Sequence, residues 1–188
     1  MNKVTLIIVD CQYDFIKGTL AVAKASKAVD NIIAYILNNR KNIDKIVFTV
    51  DWHPINHCSF DKNGGQWPVH CVQYSKGASI DESLLNTVHI VGIPYDIIIK
   101  GDEANKEEYG AFSIPSFNDC LFDRHHTVNI DKHSDIVVCG IAGDYCVKET
   151  TLNLMELNPK VFLAGVASID DGTTINDFIE GFKLDVVE

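Results

Sequence analysis

The sequence predicts an α/β protein in which a doubly wound, largely parallel β-sheet is flanked by helices. Short runs of β-branched residues alternate along the chain with segments whose apolar residues recur at helical spacing. This order is typical of strands joined by crossover helices. The strand-like runs are apolar at almost every position, as in strands that are covered on both faces of a parallel sheet. We expect one domain that spans residues 1–188.

The first quarter of the chain predicts a β-α-β unit with an acidic residue after each strand. Residues 4–9 form an apolar run closed by Asp10, and residues 45–50 form a second run closed by Asp51. Between them, apolar side chains recur every three or four residues from 25 to 39, which predicts an amphipathic crossover helix. Both acids should lie at the carboxyl edge of the sheet, where open α/β sheets bind ligands. The alternative is that each acid only stabilises a turn.

A third strand is predicted at residues 96–99, and Lys100 follows it. A weak helical pattern around residues 83–85 precedes this strand. Lys100 would face the same sheet edge as the two acids. It could instead be a surface lysine whose ammonium group remains in water.

The segment 118–134 has the least regular pattern in the chain. A short helix around three apolar residues and an edge strand or extended arm at 127–130 are the expectations there. The three apolar residues are Phe117, Leu121 and Phe122. Beyond this segment, residues 160–166 predict the last strand and residues 174–183 the last helix.

A buried strand at 136–141 leads into the most informative stretch of the sequence. The strand ends at an Ala-Gly pair, Asp144 occupies the expected N-cap position, and a helical pattern follows from 145 to 155. Cys146 thus falls in the first turn of a helix, whose partial positive charge stabilises a thiolate. An inert core cysteine is the alternative.

Composition argues against several functional classes. A net charge of −10 without clustered Lys and Arg argues against a nucleic-acid surface. The apolar run at 4–9 ends in Asp10, so we expect neither a signal peptide nor a membrane span. Six cysteines at irregular positions, without a CxxC pair, argue against a disulfide framework or a zinc ribbon. These features predict a cytoplasmic protein with reduced thiols.

Asp51 and His53 are two residues apart, so in an extended segment their side chains point to the same side. A carboxylate and an imidazole in that register can bind a divalent metal if a third ligand is available. His70 is the candidate, and His57 is its rival. An Asp/His/His set with open positions suits Zn, Fe or Mn. Alternatively, Asp51 caps a turn and the histidines are ordinary loop residues.

Three strand ends therefore carry an acid, a lysine and a cysteine, namely Asp10, Lys100 and Cys146. In a parallel sheet they share one edge. Asp10 could take the thiol proton and later pass it to a leaving amine. Lys100 would lower the thiol pKa, and Cys146 would attack a carbonyl whose oxyanion is held by backbone N–H groups. A neighbouring metal could position the substrate or activate water.

At this point the sequence resembles the nicotinamidase/pyrazinamidase branch of the isochorismatase-like cysteine hydrolases. The resemblance covers the chain from end to end, and its motifs follow the family's order. Those motifs are IIVDCQYDF (7–15), DWHPINHCSF (51–60), WPVHC (67–71), IIIKG (97–101) and VVCGIAGDYCVKET (137–150).

The resemblance implies a catalytic triad, a metal site and an oxyanion hole. The triad is the same acid, lysine and cysteine, and the implied ligands of the metal, most simply zinc, are Asp51, His53 and His70. A non-proline cis peptide between Ile141 and Ala142 is also implied. The N–H groups of Ala142 and Cys146 would form the oxyanion hole.

The implied activity is conversion of nicotinamide to nicotinate and ammonia through a thioester, as in NAD salvage, with pyrazinamide as a further substrate. Phe15, Trp67 and Tyr109 match the aromatic positions that enclose the pyridine ring in the family. The alternative is a hydrolase of the same fold that acts on another small amide or N-carbamoyl compound. A small-molecule amide is then the partner, without nucleic acid or membrane, and a homo-oligomer is expected.

The chain departs from the family at two places near the site. Gly143 stands where the family commonly has Thr, which removes a hydroxyl. Some relatives use a fourth protein ligand, but no Glu lies between His53 and His70 here. His57 or water must complete the metal's coordination, and water is favoured.

Overall fold

The computed structural model describes residues 3–112, 120–122, 127–129 and 133–188, and these residues contain a five-stranded parallel sheet. The strands of the described ranges are β1 (Val4–Val9), β2 (Ile43–Asp51), β3 (Tyr95–Lys100), β4 (Cys120–Phe122), β5 (Thr127–Asn129), β6 (Asp135–Ile141) and β7 (Lys160–Ala167). The main sheet has the order β3-β2-β1-β6-β7, and every neighbouring pair is parallel. The predicted doubly wound sheet is therefore confirmed.

Helices cover both faces of this sheet. They are α1 (Tyr13–Ile16), α2 (Ala25–Asn39), α3 (Glu82–Val91), α4 (Lys148–Asn153) and α5 (Thr173–Phe182), with short 3₁₀ turns at Asp61–Asn63 and Met155–Leu157. The helices predicted around 25–39, 83–85 and 174–183 are confirmed as α2, α3 and α5. No helix in the described ranges combines the length and apolar character needed to cross a bilayer.

Alternate side chains of β1 enter two separate hydrophobic cores. Leu6 and Ile8 belong to the core that α2 and α3 complete, whereas Ile7 and Val9 belong to the core that α5 completes. All six residues of β1 are buried. The continuous apolar run of this strand follows from the fact that neither of its faces meets water.

The irregular segment contains a small antiparallel ribbon rather than a helix. β4 pairs with β5, and this pair forms a sheet of its own. The expected helix around Leu121 and Phe122 is therefore wrong, and Phe117 lies outside the described residues. The expected strand at 127–130 is present as β5, although it joins the ribbon rather than the main sheet and residue 130 lies outside the described ranges. Inter-strand hydrogen bonding thus overrides the local apolar spacing.

The parallel register brings the chemically active strand ends to one edge. Asp51, the last residue of β2, lies directly opposite Lys100, the last residue of β3. Val9, the last residue of β1, lies opposite Gly140 near the end of β6. Asp10 and the segment after β6 therefore emerge side by side.

We predict that Gly140→Ala destabilises the protein strongly. Gly140 has a φ of +125°, and a Cβ at this position would collide with the carbonyl oxygen of Val9. The free energy of unfolding should fall by at least about 2 kcal/mol in denaturant titrations. The matched control is Gly181→Ala in α5, where a Cβ would meet no atom within 4 Å. That change should be neutral or raise the stability by up to ~1 kcal/mol, and equal stability of the two variants would contradict the prediction.

Candidate active site

Asp10 sits just beyond β1 with its carboxylate turned into the protein. Its φ of 47° is left-handed, and its backbone N–H donates to Thr49 O at 3.1 Å. The Thr49 hydroxyl donates to Asp10 Oδ1 at 2.6 Å. Thr49 thus fixes one carboxylate oxygen and leaves the other, Oδ2, free to face the strand end of Lys100.

Lys100 links the acid, the thiol and the predicted metal ligand. Its ammonium nitrogen lies 2.8 Å from Asp10 Oδ2 and 3.4 Å from Cys146 Sγ, and it forms an ion pair with Asp51 Oδ1. The side chain is 2% exposed. Asp10 and Cys146 therefore both lie against the buried ammonium group of Lys100, so the three strand-end residues predicted from the sequence meet in space. Lys100 is not a surface lysine.

The turn that carries Cys146 contains the expected cis peptide between Ile141 and Ala142. A π-helical turn at Gly143–Val147 follows, and α4 continues from it. The N–H groups of Tyr145 and Val147 donate to Ala142 O at 3.1 and 3.0 Å. Cys146 therefore lies in the first turn of the helical segment, as predicted, although that turn is wider than an α-helical one.

Asp144 is not the N-cap that the sequence predicts. Its carboxylate accepts hydrogen bonds from the N–H groups of Ile169 and Asp170, each at 3.0 Å. The residue preceding the π turn is Ala142, and no side chain caps the turn. Because Asp144 lies within the turn, its side chain is directed to the loop after β7. It thereby joins the Cys146 turn to Ile169.

Burial raises the pKa of the Cys146 thiol well above its usual range, and the opposing effect of Lys100 is smaller. Lys100 acts to lower the thiol pKa, as expected from the sequence, but burial outweighs this effect. The charged form of a fully enclosed thiol loses its hydration, and one ammonium group does not replace it. Burial thus disfavours the thiolate, and a base beside the thiol would favour attack.

The two carboxylates beside Lys100 have opposite pKa shifts. Burial raises the pKa of Asp10 despite the opposing effect of Lys100. Burial would also raise the pKa of Asp51, but Lys100 and His53 hold it well below its usual range. Burial acts to lower the pKa of Lys100, but the carboxylates of Asp10 and Asp51 outweigh it and raise the pKa. Asp51 therefore stays ionised, whereas Asp10 is suited to exchange a proton.

Asp51, His53 and His70 offer three donor atoms that lie within 4.8 Å of one another. Asp51 Oδ2 is 3.5 Å from His53 Nε2 and 3.9 Å from His70 Nε2. Each Nδ1 lies 2.7 Å from a carbonyl oxygen, that of Gly101 for His53 and that of Pro68 for His70. A carbonyl oxygen only accepts, so Nδ1 carries the hydrogen and Nε2 keeps its lone pair. This donor set fits a divalent transition metal.

His57 lies beside this set but its nitrogens have other partners. Its Nε2 is 2.9 Å from Lys106 O, and its Nδ1 is 2.7 Å from Ser59 Oγ. The ring stacks on His53 with a centroid distance of 4.0 Å and an interplanar angle of 25°. Glu107 offers a carboxylate oxygen within 4.8 Å of a nitrogen of each of these two rings.

A pocket opens beside the thiol and the donor set, and Cys146, Asp51 and His70 contribute to its lining. Its walls combine aromatic and aliphatic side chains with three polar groups of the metal-ligand region and its rim. The lining residues are Phe15, Leu20, Asp51, Trp67, His70, Glu107, Tyr109, Ala142, Tyr145, Cys146 and Ile169. All three sequence-predicted aromatic residues are among them. The aromatic and apolar lining suits a small planar molecule.

The aromatic walls brace one another. Trp67 Nε1 donates to the Tyr109 hydroxyl at 3.2 Å, and the Trp67 and Tyr145 rings meet edge to face at 5.1 Å between centroids. Tyr145 also lies 5.3 Å from the Tyr109 ring, and Phe15 lies 5.4 Å from His70. The pocket walls are thus held by ring contacts before any ligand enters.

Four pocket residues were not predicted from the sequence: Leu20, Glu107, Tyr145 and Ile169. Tyr145 directly precedes the nucleophile candidate, so its position in that motif was an available signal. Leu20 lies four residues after the end of α1, the helix that carries Phe15, and Glu107 lies two residues before Tyr109. Ile169 has no local signal because only the fold of the loop after β7 brings it to the pocket.

A serine hydroxyl occupies the space that Gly143 leaves open. A Cβ at Gly143 would collide with Ser168 Oγ and lie 2.8 Å from Val166 Cγ1. Ser168 is buried. Ser168 Oγ therefore takes up the space beside Gly143, and a side chain at position 143 would not fit beside it.

Gln12 anchors the backbone of the metal-ligand candidate Asp51. Its Nε2 donates to Asp51 O at 2.8 Å and to Ala78 O at 2.9 Å. Its Oε1 accepts from Asp51 N at 2.7 Å. One buried amide thus satisfies both backbone groups of Asp51 and joins the end of β2 to the 75–79 loop.

Comparison with known proteins identifies similar chains over nearly the full length. The isochorismatase domain model matches residues 4–171. The nicotinamidase of Saccharomyces cerevisiae is 32% identical over 213 aligned residues, which cover 95% of each chain. The solved yeast nicotinamidase bound to the inhibitor nicotinaldehyde has a TM-score of 0.79 at 29% identity, with 98% of this chain and 99% of that chain covered. The pyrazinamidase of Pyrococcus horikoshii in complex with zinc has a TM-score of 0.74 at 27% identity, with 99% of each chain covered.

We predict that Gln12→Glu destabilises the protein although the two side chains have the same shape. The new oxygen would face the carbonyl oxygens of Asp51 and Ala78, which lose their donor. The free energy of unfolding should fall by about 2–4 kcal/mol in denaturant titrations. Gln66→Glu is the control, since Gln66 is exposed, and it should change stability by less than about 0.5 kcal/mol. Equal effects of the two changes would refute the anchoring role of Gln12.

Proposed function

Because this chain belongs to the isochorismatase family, we propose that it is a nicotinamidase, which hydrolyses nicotinamide to nicotinate and ammonia in NAD salvage. The observation that carries this proposal is the meeting of Asp10 and Lys100 with Cys146, which lines an aromatic pocket beside an Asp/His/His donor set. Hydrolysis of an amide requires a nucleophile and a group that carries protons, and binding of a pyridine ring requires flat apolar walls.

We assign Cys146 as the nucleophile and Asp10 as its base. The Asp10 carboxylate takes the thiol proton, and the sulfur attacks the amide carbon to form a tetrahedral oxyanion. The N–H groups of Ala142 and Cys146, both at the pocket, would hold that oxyanion. The C–N bond then breaks, and the amine leaves as ammonia with the proton from Asp10. Lys100 stays protonated throughout and stabilises the thiolate.

The remaining thioester is hydrolysed by a water molecule. Asp10, again ionised, accepts a proton from this water as its oxygen bonds to the acyl carbon. The C–S bond breaks, the sulfur takes the proton back from Asp10, and nicotinic acid leaves and gives its remaining proton to water as nicotinate. The raised pKa of Asp10 suits it to both proton transfers because its acid and base forms then differ less in free energy near neutral pH.

Phe15, Trp67 and Tyr109 are assigned to enclose the pyridine ring. All three line the pocket, and the contacts of Trp67 and Tyr109 with Tyr145 hold their planes in place. Offset or edge-to-face contacts with a heteroaromatic ring would orient its amide toward the thiol. Pyrazinamide has the same shape with one further ring nitrogen, and we propose that it is also hydrolysed.

We assign Asp51, His53 and His70 as ligands of one divalent transition metal, with zinc proposed ahead of iron and manganese. The donor types and the ordered Nδ1 hydrogen bonds support this assignment, and a related pyrazinamidase binds zinc. When bound, such a metal supplies Lewis-acid chemistry at the pocket wall. Asp51 would hold it while also neutralising Lys100.

Three wider features remain proposals. We propose that residues 1–188 form a single domain, that the protein is a homo-oligomer, and that it acts in the cytoplasm. The match of the family model to 4–171 supports the first. Light scattering of the purified protein and fractionation of the source cells would test the other two.

We predict that Cys146→Ala lowers the rate of ammonia release from nicotinamide by at least ~10³-fold, because the acyl group then has no sulfur to bond to. The measurement is ammonia release by purified wild type and variant at saturating nicotinamide. Cys58→Ala is the matched control, since Cys58 is half-buried outside the pocket lining, and it should stay within twofold of wild type. A Cys146→Ala variant as active as wild type would exclude the mechanism. Wild-type release from an N-carbamoyl compound but not from nicotinamide would instead favour the alternative substrate class.

We predict that His70→Ala lowers bound metal from one ion per chain to well below that ratio. The loss of one of three protein ligands should weaken metal binding at least about tenfold. Elemental analysis after dialysis against a weak chelator measures this, and chelated wild type should regain ammonia release when zinc is restored. His89→Ala on α3 is the control, because His89 is exposed and its Nε2 contacts only the Tyr95 hydroxyl among described hydrogen-bond partners. Full metal content in His70→Ala would remove this residue from the ligand set.

A further inference from the structure

We propose that His57 is a positioning residue for the 101–109 loop rather than a metal ligand, an inference that rests on the proposed amidase function for its effect on substrate. The loop runs from the residue after β3 to Tyr109 of the pocket wall. His57 belongs to the segment after β2, and its ring joins this segment to the loop next to a backbone hydrogen bond from Cys58 N–H to Ala104 O at 2.7 Å.

The hydrogen bonds of His57 determine which of its nitrogens carries the hydrogen. Nε2 lies 2.9 Å from Lys106 O, and a carbonyl oxygen can only accept, so Nε2 is the donor. In the neutral ring Nδ1 must then be the acceptor. The Ser59 hydroxyl is 2.7 Å from Nδ1, and the Ser59 N–H donates to the same atom at 3.3 Å. Neither nitrogen keeps a free lone pair for a metal.

Because His57 is buried, the loss of either of its hydrogen bonds would be energetically costly. The residue is fully buried, with 0% exposure, and its ring stacks on His53 and lies 5.7 Å from the Phe60 ring between centroids. Rotation to release a nitrogen toward the donor set would leave the Lys106 carbonyl without this donor and disturb that packing. The stacked geometry instead lets the His57 ring support the His53 ring.

Two neighbouring histidines hold two points of the same loop. His53 Nδ1 donates to Gly101 O at 2.7 Å, and His57 Nε2 donates to Lys106 O. Gly101 has a φ of +63°, and a Cβ there would collide with the His53 ring. The loop therefore approaches the histidine pair as closely as its backbone allows.

The anchored part of the loop carries the pocket residues. Glu107 directly follows the carbonyl that His57 holds, and Tyr109 lies two residues further along. The Glu108 carbonyl accepts from Lys100 Nζ at 3.3 Å. Release of Lys106 would thus loosen the Glu107 and Tyr109 side of the pocket and remove one restraint on the catalytic ammonium group.

Two substitutions separate the positioning role from ligation. His57→Gln places an amide nitrogen near the position of Nε2 and can still donate to Lys106 O. His57→Asn reaches only the position of Nδ1, so it can contact Ser59 but not Lys106. Neither variant has a ring nitrogen that could bind a metal. A positioning role therefore predicts that His57→Gln and His57→Asn differ from each other. A ligand role predicts that both variants lose the same contact with the metal.

The first measurement is the metal itself, with cobalt(II)-loaded protein. If His57 positions the loop, both variants should bind one cobalt ion per chain with the visible absorption spectrum of wild type. Loss of cobalt or a changed spectrum in both variants, as expected for His70→Ala, would overturn the proposal. If His57→Asn does not fold, the cobalt content and spectrum of His57→Gln still test whether His57 is a metal ligand.

The second measurement is hydrogen–deuterium exchange of the 101–109 loop in the same proteins, which does not depend on any activity. Exchange should be at least about tenfold faster in His57→Asn and close to wild type in His57→Gln. In nicotinamide hydrolysis, KM should rise about tenfold in His57→Asn and less than about threefold in His57→Gln, with a smaller change in kcat. Wild-type exchange in His57→Asn would overturn the positioning role. Absence of nicotinamide hydrolysis in wild type would refute the proposed function without affecting the exchange and cobalt results.

Discussion

The active-site region depends on one buried ammonium group between two buried carboxylates. Lys100 contacts Asp10 and Asp51, and all three are nearly inaccessible to solvent. Charges in such a place are costly unless they are paired. One cation against two carboxylates leaves a net negative charge beside His53 and His70. A divalent metal bound there would offset that charge. The charges of the catalytic residues and of the proposed metal site therefore stabilise one another.

Side-chain to backbone hydrogen bonds hold the loops around this charge cluster. Gln12 satisfies both backbone groups of Asp51, and Asp14 accepts from the N–H of Cys71, next to His70, at 2.8 Å. His57 anchors the loop that carries Tyr109. Each of these polar groups is buried, so its partner cannot be replaced by water without loss of stability. The pocket is consequently shaped by residues that do not touch its interior.

Much of the fold and of the candidate site could be predicted because the signals are local. A run of buried residues such as Ile136 to Ile141 indicates a strand by itself, and the residue after a parallel strand must lie at the carboxyl edge. Asp144 was misread because a residue's helix-capping propensity says nothing about a distant partner such as the N–H of Ile169. Leu121 was misread because its apolar spacing is compatible with either a helix or a strand.

By its order of residues alone, the chain determined the parallel sheet, its helices and the edge at which Asp10, Lys100 and Cys146 lie, because periodicity and strand-end position are properties of short segments. Only the tertiary structure decided the direction of the thiol's pKa shift, the nitrogen that His53 and His70 each leave free, and the place of Ile169 in the pocket wall. Those properties depend on burial and on partners far away in sequence. The pKa of Cys146 rises because the folded core excludes water from it, which its neighbours along the chain do not reveal.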